Sequence, residues 1–324
     1  MFSKALILAL IPTAFGHMGL FHPSAYDFDG DGYSLVTPLS GQSFNDWWFH
    51  GNLGKAGSGA PMELPAGGSV SLELSCNKQF TSYGNAGDGV TACPDDIPSY
   101  HAGTPIKNSE ILGCGLAIAY KDSAASVIPS DFTVFSVNTD CVDNLHTSFD
   151  VPADMPECPN GKCVCAWFWQ GQASADEMYM TGFDCTITGS TSTKSVGAGQ
   201  APKYCPNGGC VSGPKQPMYW ANADPNVDFD GVYTHKPSYN SAWGFSNGAQ
   251  NDIFVGNSPY PTSVASSPTS RAGSPAPTTL VTSTRKSQPT GGATCSWPGH
   301  CAGASCSTEN DCSDDLTCQS GKCA

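Results

Sequence analysis

No arginine occurs before Arg271 in this 324-residue chain. The guanidinium group is the usual bidentate clamp for phosphate and carboxylate, so its absence from the main domain weighs against anionic substrates. Charged residues of both signs make up only 13% of the chain, and the formal net charge of −14 excludes nucleic acid as a partner. A neutral polymer such as a polysaccharide fits better. After the first sixteen residues no apolar run is long enough to span a bilayer. The terminal Gln319-Ser-Gly-Lys-Cys-Ala324 lacks the hydrophobic tail of a lipid-anchor signal, so no membrane partner is expected. Helical periodicity is missing too, apart from short turns near Phe44-Asn-Asp-Trp-Trp-Phe-His50. No H-E-x-x-H occurs and no Gly-rich loop precedes a helix, which removes common zinc-peptidase and nucleotide-binding patterns.

Cysteine, by contrast, is abundant: sixteen residues, an even number. Met1–Gly16 carries Lys4, then the apolar run Ala5–Ile11, then the small residues Ala14 and Gly16, and reads as a secretory signal peptide (1–16). Behind such a leader the cysteines imply a secreted, extracellular protein with a disulfide framework. Residues 17–256 are mixed in composition and long enough for one domain with a full core. Residues 257–294 are dominated by Ser, Thr and Pro and read as an extended, O-glycosylated linker. Residues 295–324 hold six cysteines around Trp297 and Leu316, a small module that disulfides must hold together. Six cysteines permit fifteen pairings, among which sequence does not choose.

Ser69-Val-Ser-Leu-Glu-Leu-Ser-Cys76 alternates with period two, the pattern of a half-buried strand. Gly115–Tyr120, Asp131–Val137, Cys163–Trp169, Glu177–Met180 and Phe183–Thr188 are rich in β-branched and aromatic residues and read as further strands. The expected fold is all-β, a sandwich with disulfide-stapled loops.

Cleavage after Gly16 would make His17 the first residue, with an α-amine and a ring nitrogen both open to a metal. Such nitrogens suit copper. A second imidazole must come from elsewhere. His22 is too near in an extended strand, and His300 lies beyond the linker. His50 follows Trp47-Trp48-Phe49, where aromatic packing is the plainer role, whereas His101 stands in the turn-rich loop Pro98-Ser-Tyr-His-Ala-Gly103 between Cys93 and Cys114. The residues alone leave that choice open. Glu177 and Tyr179 share a strand face by period two, so the phenol is a candidate axial ligand or a core tyrosine. Asp27, Asp29 and Asp31 have a faint calcium-loop spacing without the terminal Glu.

The chain resembles the copper-dependent lytic polysaccharide monooxygenases, and among them auxiliary activity family 14. The resemblance spans most of the large domain. It is carried by His17, Phe44–His50, Leu74-Ser-Cys-Asn-Lys78, Ser99-Tyr-His101, Gly113–Tyr120, Asp131–Asn138, Cys165-Ala-Trp-Phe-Trp169, Tyr179-Met-Thr-Gly-Phe183 and Gly248–Phe254. It implies an immunoglobulin/fibronectin-like β-sandwich with one type 2 copper ion near the surface. His17, through amine and ring, and His101 would form a histidine brace, with Tyr179 as axial ligand and Glu177 placed to orient the oxygen species. It further implies an external electron donor, dioxygen or hydrogen peroxide as co-substrate, and insoluble plant cell-wall polysaccharide, xylan on cellulose, as substrate. The protein is expected to be a monomer. The alternative is a non-catalytic secreted copper-binding protein with a monooxygenase-like fold.

Overall fold

The computed structural model describes residues 17–30, 32–94, 97–103, 105–172, 176–256, 303 and 318–324. The expected leader and linker lie outside the described residues, as does most of the cysteine-rich module. The chain divides into two compact units, Met1–Thr262 and Ser263–Ala324.

In the larger unit the strands run β1 (Gly19–Phe21), β2 (Met62–Pro65), β3 (Ser69–Ser75), β4 (Cys114–Ala119), β5 (Thr133–Asn138), β6 (His146–Asp150), β7 (Cys163–Trp169), β8 (Tyr179–Thr188), β9 (Ser195–Val196), β10 (Gly248–Ala249) and β11 (Phe254–Val255). The α-helix described, α1 (Phe44–Trp47), is a single turn, in keeping with the missing helical periodicity. A three-stranded sheet, β1-β3-β6, faces a six-stranded sheet, β10-β5-β4-β7-β8-β2. All pairings in these two sheets are antiparallel except β2 with β8. The fold is thus the expected all-β sandwich.

Burial explains the strand sequences. β6 alternates, with Thr147 and Phe149 inside and His146, Ser148 and Asp150 outside, as a strand with one wet face must. β4 and β7 are buried at every position. One face of the six-stranded sheet packs Leu116, Ile118, Trp167 and Phe183 against Leu20, Leu74 and Phe149 of the smaller sheet. Its other face carries Ala117, Val134, Ala166 and Phe168 and is roofed by Trp47, Trp48, Phe49 and Tyr219 from the connecting segments. Burying each such large side chain stabilises the fold by about 1.5–3 kcal/mol. The Phe44–His50 turns are therefore the cover of the second core.

Disulfides Cys76–Cys93, Cys114–Cys141, Cys158–Cys163, Cys165–Cys185 and Cys205–Cys210 staple the larger unit. In the smaller unit, Cys318–Gln319 pairs antiparallel with Lys322–Cys323, Gly303 donates its N–H to the Cys323 carbonyl at 2.8 Å, and Cys323 is disulfide-bonded.

Candidate metal centre

Three distant stretches of chain build the site. His17 stands two residues before β1, whose register with β3 sets Gly19 opposite Ser75. The Leu20 N–H donates to Thr181 Oγ1 at 3.1 Å, tying this end of the chain to β8 as well. Tyr179 opens β8 opposite Trp169, the last residue of β7, and their ring centroids are 4.8 Å apart. Cys165–Cys185 cross-links these two strands. His101 comes from the loop between Cys93 and Cys114, each held by its own disulfide. Tyr100 Oη accepts the Cys93 N–H at 2.8 Å, which shortens that loop further. His101 has φ +47°, a left-handed conformation that costs a non-glycine residue about 1–3 kcal/mol and persists where packing imposes it.

The side chains meet at Tyr179. Its ring centroid lies 6.3 Å from that of His17 and 6.3 Å from that of His101. Tyr179 Oη donates to Glu177 Oε2 at 2.8 Å and lies 3.4 Å from His101 Nε2. Glu177 Oε2 is itself 3.4 Å from His101 Nε2. His101, Glu177 and Tyr179 are all buried, and His17 is partly so. Burial first, then the Glu177 charge and hydrogen bond, raise the Tyr179 pKa well above its ordinary value, so it remains a protonated phenol. Burial, helped by neighbouring His101, lowers the His17 ring to about 3. Its imidazole is neutral near pH 7 and keeps a lone pair for a metal.

The other histidines with described surroundings are occupied elsewhere. His50 Nε2 lies 2.6 Å from the Met180 carbonyl and Nδ1 3.3 Å from Thr37 Oγ1, so both ring nitrogens are engaged. His22 bonds Ser24, His146 faces Glu73, and His235 pairs with Asp230 at 2.8 Å. Asp27 accepts from Ser34, Asn52 and Lys55, a structural role, and Asp31 lies outside the described residues.

Among the described residues no three His, Cys, Asp or Glu side chains group as a metal site. Two imidazoles and a phenol converge, which leaves a third nitrogen to be supplied by the main chain at His17. In the full-length chain that nitrogen is an amide; cleavage after Gly16 would make it an amine. The donor set then fits copper, which favours nitrogen ligands of this kind.

Sequence reasoning passed over several residues. Tyr33, 40% exposed, sets its ring edge-to-face with His17 at 5.9 Å. Trp169 stacks on His101 at 5.8 Å, and β7–β8 register was the signal that would have placed it. No G-x-S-x-G nucleophile motif was expected, yet Gly244-Phe-Ser-Asn-Gly248 has that spacing. It leads directly into the two-residue strand β10 and not into a helix, so the strand–turn–helix context of that motif is missing.

Fold and sequence together define the class: the chain is matched over residues 1–323 by the family described as "Lytic polysaccharide monooxygenase AA14". Within the lytic polysaccharide monooxygenases it belongs to family AA14. It is 38% identical over 282 residues to AA14 family lytic polysaccharide monooxygenase B of Pycnoporus cinnabarinus, covering 79% of this chain and 75% of that one. It is 36% identical over 318 residues to AA14 family lytic polysaccharide monooxygenase A of Trametes coccinea, covering 89% and 73%. A further stretch of 38 residues is 76% identical to part of endo-chitosanase C of Aspergillus oryzae, covering 11% of this chain and 10% of that one. Family membership implies an oxidoreductase acting on polysaccharide.

Proposed function

We propose that this chain, with Met1–Gly16 removed on secretion, is a copper-dependent monooxygenase that cleaves glycosidic bonds in plant cell-wall polysaccharide, xylan lying on cellulose. The observation that carries the reading is the convergence of His17 and His101 on buried Tyr179. His17, through amine and ring, and His101 would hold the ion, with the Tyr179 phenol as a further ligand. Supplied with an external reductant and dioxygen or hydrogen peroxide, bound copper provides the oxidising power to hydroxylate a C–H bond beside the glycosidic linkage, which then breaks by elimination. Glu177 keeps the phenol proton in place and presents a carboxylate on the same side. Burial of His101, Glu177 and Tyr179 keeps water from their inner faces. The arginine-free main domain suits an uncharged glycan.

The test is product analysis. Processed, copper-loaded protein on xylan-coated cellulose should release oxidised oligosaccharides continuously and only with reductant; tight copper binding without such products would make it a non-catalytic copper protein. We read the cysteine-rich end as a glycan-retaining module. A chain ending at Val255 should keep the chemistry and lose retention on insoluble polysaccharide, chitosan included. Unchanged retention would remove that role.

Copper affinity should also depend on pH. Burial holds the His17 ring neutral near pH 7, so at His17 the proton in competition is that of the amine, whose ordinary pKa is about 7.7–8.0. Below that value the metal must displace at least one proton, and affinity should fall at least about tenfold per pH unit. Calorimetric affinities that stay level between about pH 8 and pH 5 would contradict the amine as a ligand.

A further inference from the structure

Lys236 is 2% exposed. Lysine is almost never so buried unless its charge is paired, so something must hold it there. Its Nζ donates to the Gly171 carbonyl at 2.6 Å and lies 5.4 Å from the Trp220 ring centroid and 5.3 Å from that of Tyr233. The charges of Glu177 and Asp176 face it, opposing the burial that brings its pKa down to about 8. The Lys236 main chain is fixed as well, since its carbonyl accepts from Trp243 Nε1 at 3.1 Å and from Ser238 Oγ at 3.0 Å. A second link joins the same two segments: Gln170 Nε2 donates to the Pro237 carbonyl at 2.6 Å.

What these links secure is the turn that follows β7. On its far side a Cβ built on Gly171 would lie 2.2 Å from His101 Cβ and 2.7 Å from His101 Cγ. The His101 side chain therefore rests directly on the Gly171 main chain, with no space for even a methyl group between them. His101 is also the residue held at positive φ.

We propose that Lys236 is a positioning residue of the metal centre: through the Gly171 carbonyl it fixes the platform on which His101 is seated, and it sets a buried positive charge toward Glu177. The proposal rests on the reading of His101 as a copper ligand. Lys236 touches neither metal nor glycan, and its influence passes through Gly171 and Glu177. Outer partners of this kind typically change metal affinity about 10–100-fold when removed.

Lys215 provides a matched control. It is 3% exposed, donates to the Gly213 carbonyl at 2.9 Å and lies 5.5 Å from the Phe245 ring centroid, but pairs with Asp252 and not with the site. The experiment compares the processed wild-type protein with Lys236→Met, Lys236→Gln and Lys215→Met. Two readouts are taken: Cu(II) affinity with the electron paramagnetic resonance spectrum, and amide hydrogen exchange in the metal-free proteins. Lys236→Met should change the copper hyperfine splitting, weaken affinity at least about tenfold and speed exchange at residues 99–103 and 170–172. Lys236→Gln, which keeps a donor without the charge, should fall between it and wild type. Lys215→Met should lower the melting temperature and leave the spectrum and both exchange segments unchanged. Gly171→Ala puts a Cβ directly into His101 and is the positive control for the spectrum of a displaced ring. A wild-type spectrum, affinity and exchange pattern in Lys236→Met or, should that variant fail to fold, in Lys236→Gln would overturn the proposal, as would equal changes in Lys215→Met. If the wild-type protein holds no copper, the proposed function fails, while exchange at residues 99–103 still decides whether Lys236 positions His101.

Discussion

A copy of the chain with one extra residue ahead of His17 should lose a three-nitrogen, axial Cu(II) spectrum. It should bind the ion more weakly than processed protein by more than the roughly 10–100-fold that loss of an outer partner costs. The reason is chemical. A neutral amine offers a free lone pair, whereas an amide nitrogen has its lone pair in conjugation with the carbonyl and is a far poorer donor, so the extension deletes a donor without touching a side chain. Strand geometry prevents compensation. β1 is buried at all three positions and bonded to β3, and sliding it by one residue would move His17 about 3.3 Å and turn every side chain to the opposite face. The measurement is electron paramagnetic resonance beside calorimetry on the two copies. Matching spectra, or no copper in either, would end the case for His17 as a ligand and for the monooxygenase reading with it.

Replacing the two histidines that sequence left in competition should give crossed results. His101→Ala removes a ring that lies 3.4 Å from Tyr179 Oη, and Cu(II) affinity should fall more than about a hundredfold, beyond the range of outer changes. Its cost in stability should come from lost packing on Trp169 and on the Gly171 main chain. His50→Ala should do the reverse. It strips the donor from the Met180 carbonyl, a loss of about 1–3 kcal/mol of unfolding free energy, and should leave the copper spectrum unchanged. Chemical denaturation and copper titration on the same two variants decide the matter. Copper loss as heavy in His50→Ala as in His101→Ala would mean that the site has been drawn around the wrong ring.

That pair of residues also shows what can be read from sequence and what cannot. Strands announce themselves through local pattern, so β3, β4, β5, β7 and β8 are visible as period-two or continuous apolar runs. β1 and β2 are too short, and β6 too polar, to be noticed, and β2 joins the sheet by a parallel pairing with β8 that no local signal encodes. The pairing of Glu177 with Tyr179 follows from their spacing. The approach of His101 does not, because it depends on the Cys93–Cys114 loop folding back and on a positive φ that only packing enforces. His50 follows aromatic residues in sequence, which points to packing among them, whereas its recorded partners are Thr37 Oγ1 and the Met180 carbonyl. The hydrogen bond that removes it from consideration runs to β8, across 130 positions of chain. Lys236 and Gly171 were invisible for the same reason, since their roles arise from contacts over 65 positions.

The order of synthesis gives the β1 pairing a further meaning. Under the proposed secretion, His17 belongs to the first part of the domain to enter an oxidising compartment. β1 has no partner until β3 has followed it, and the Leu20 N–H has no acceptor until Thr181 arrives on β8. Contacts of such long separation in sequence form late and slowly, because loop-closure entropy must be overcome first. His17 thus waits through most of the chain's emergence for the partners proposed to share a metal with it, and that proposed site assembles as one of the last acts of folding.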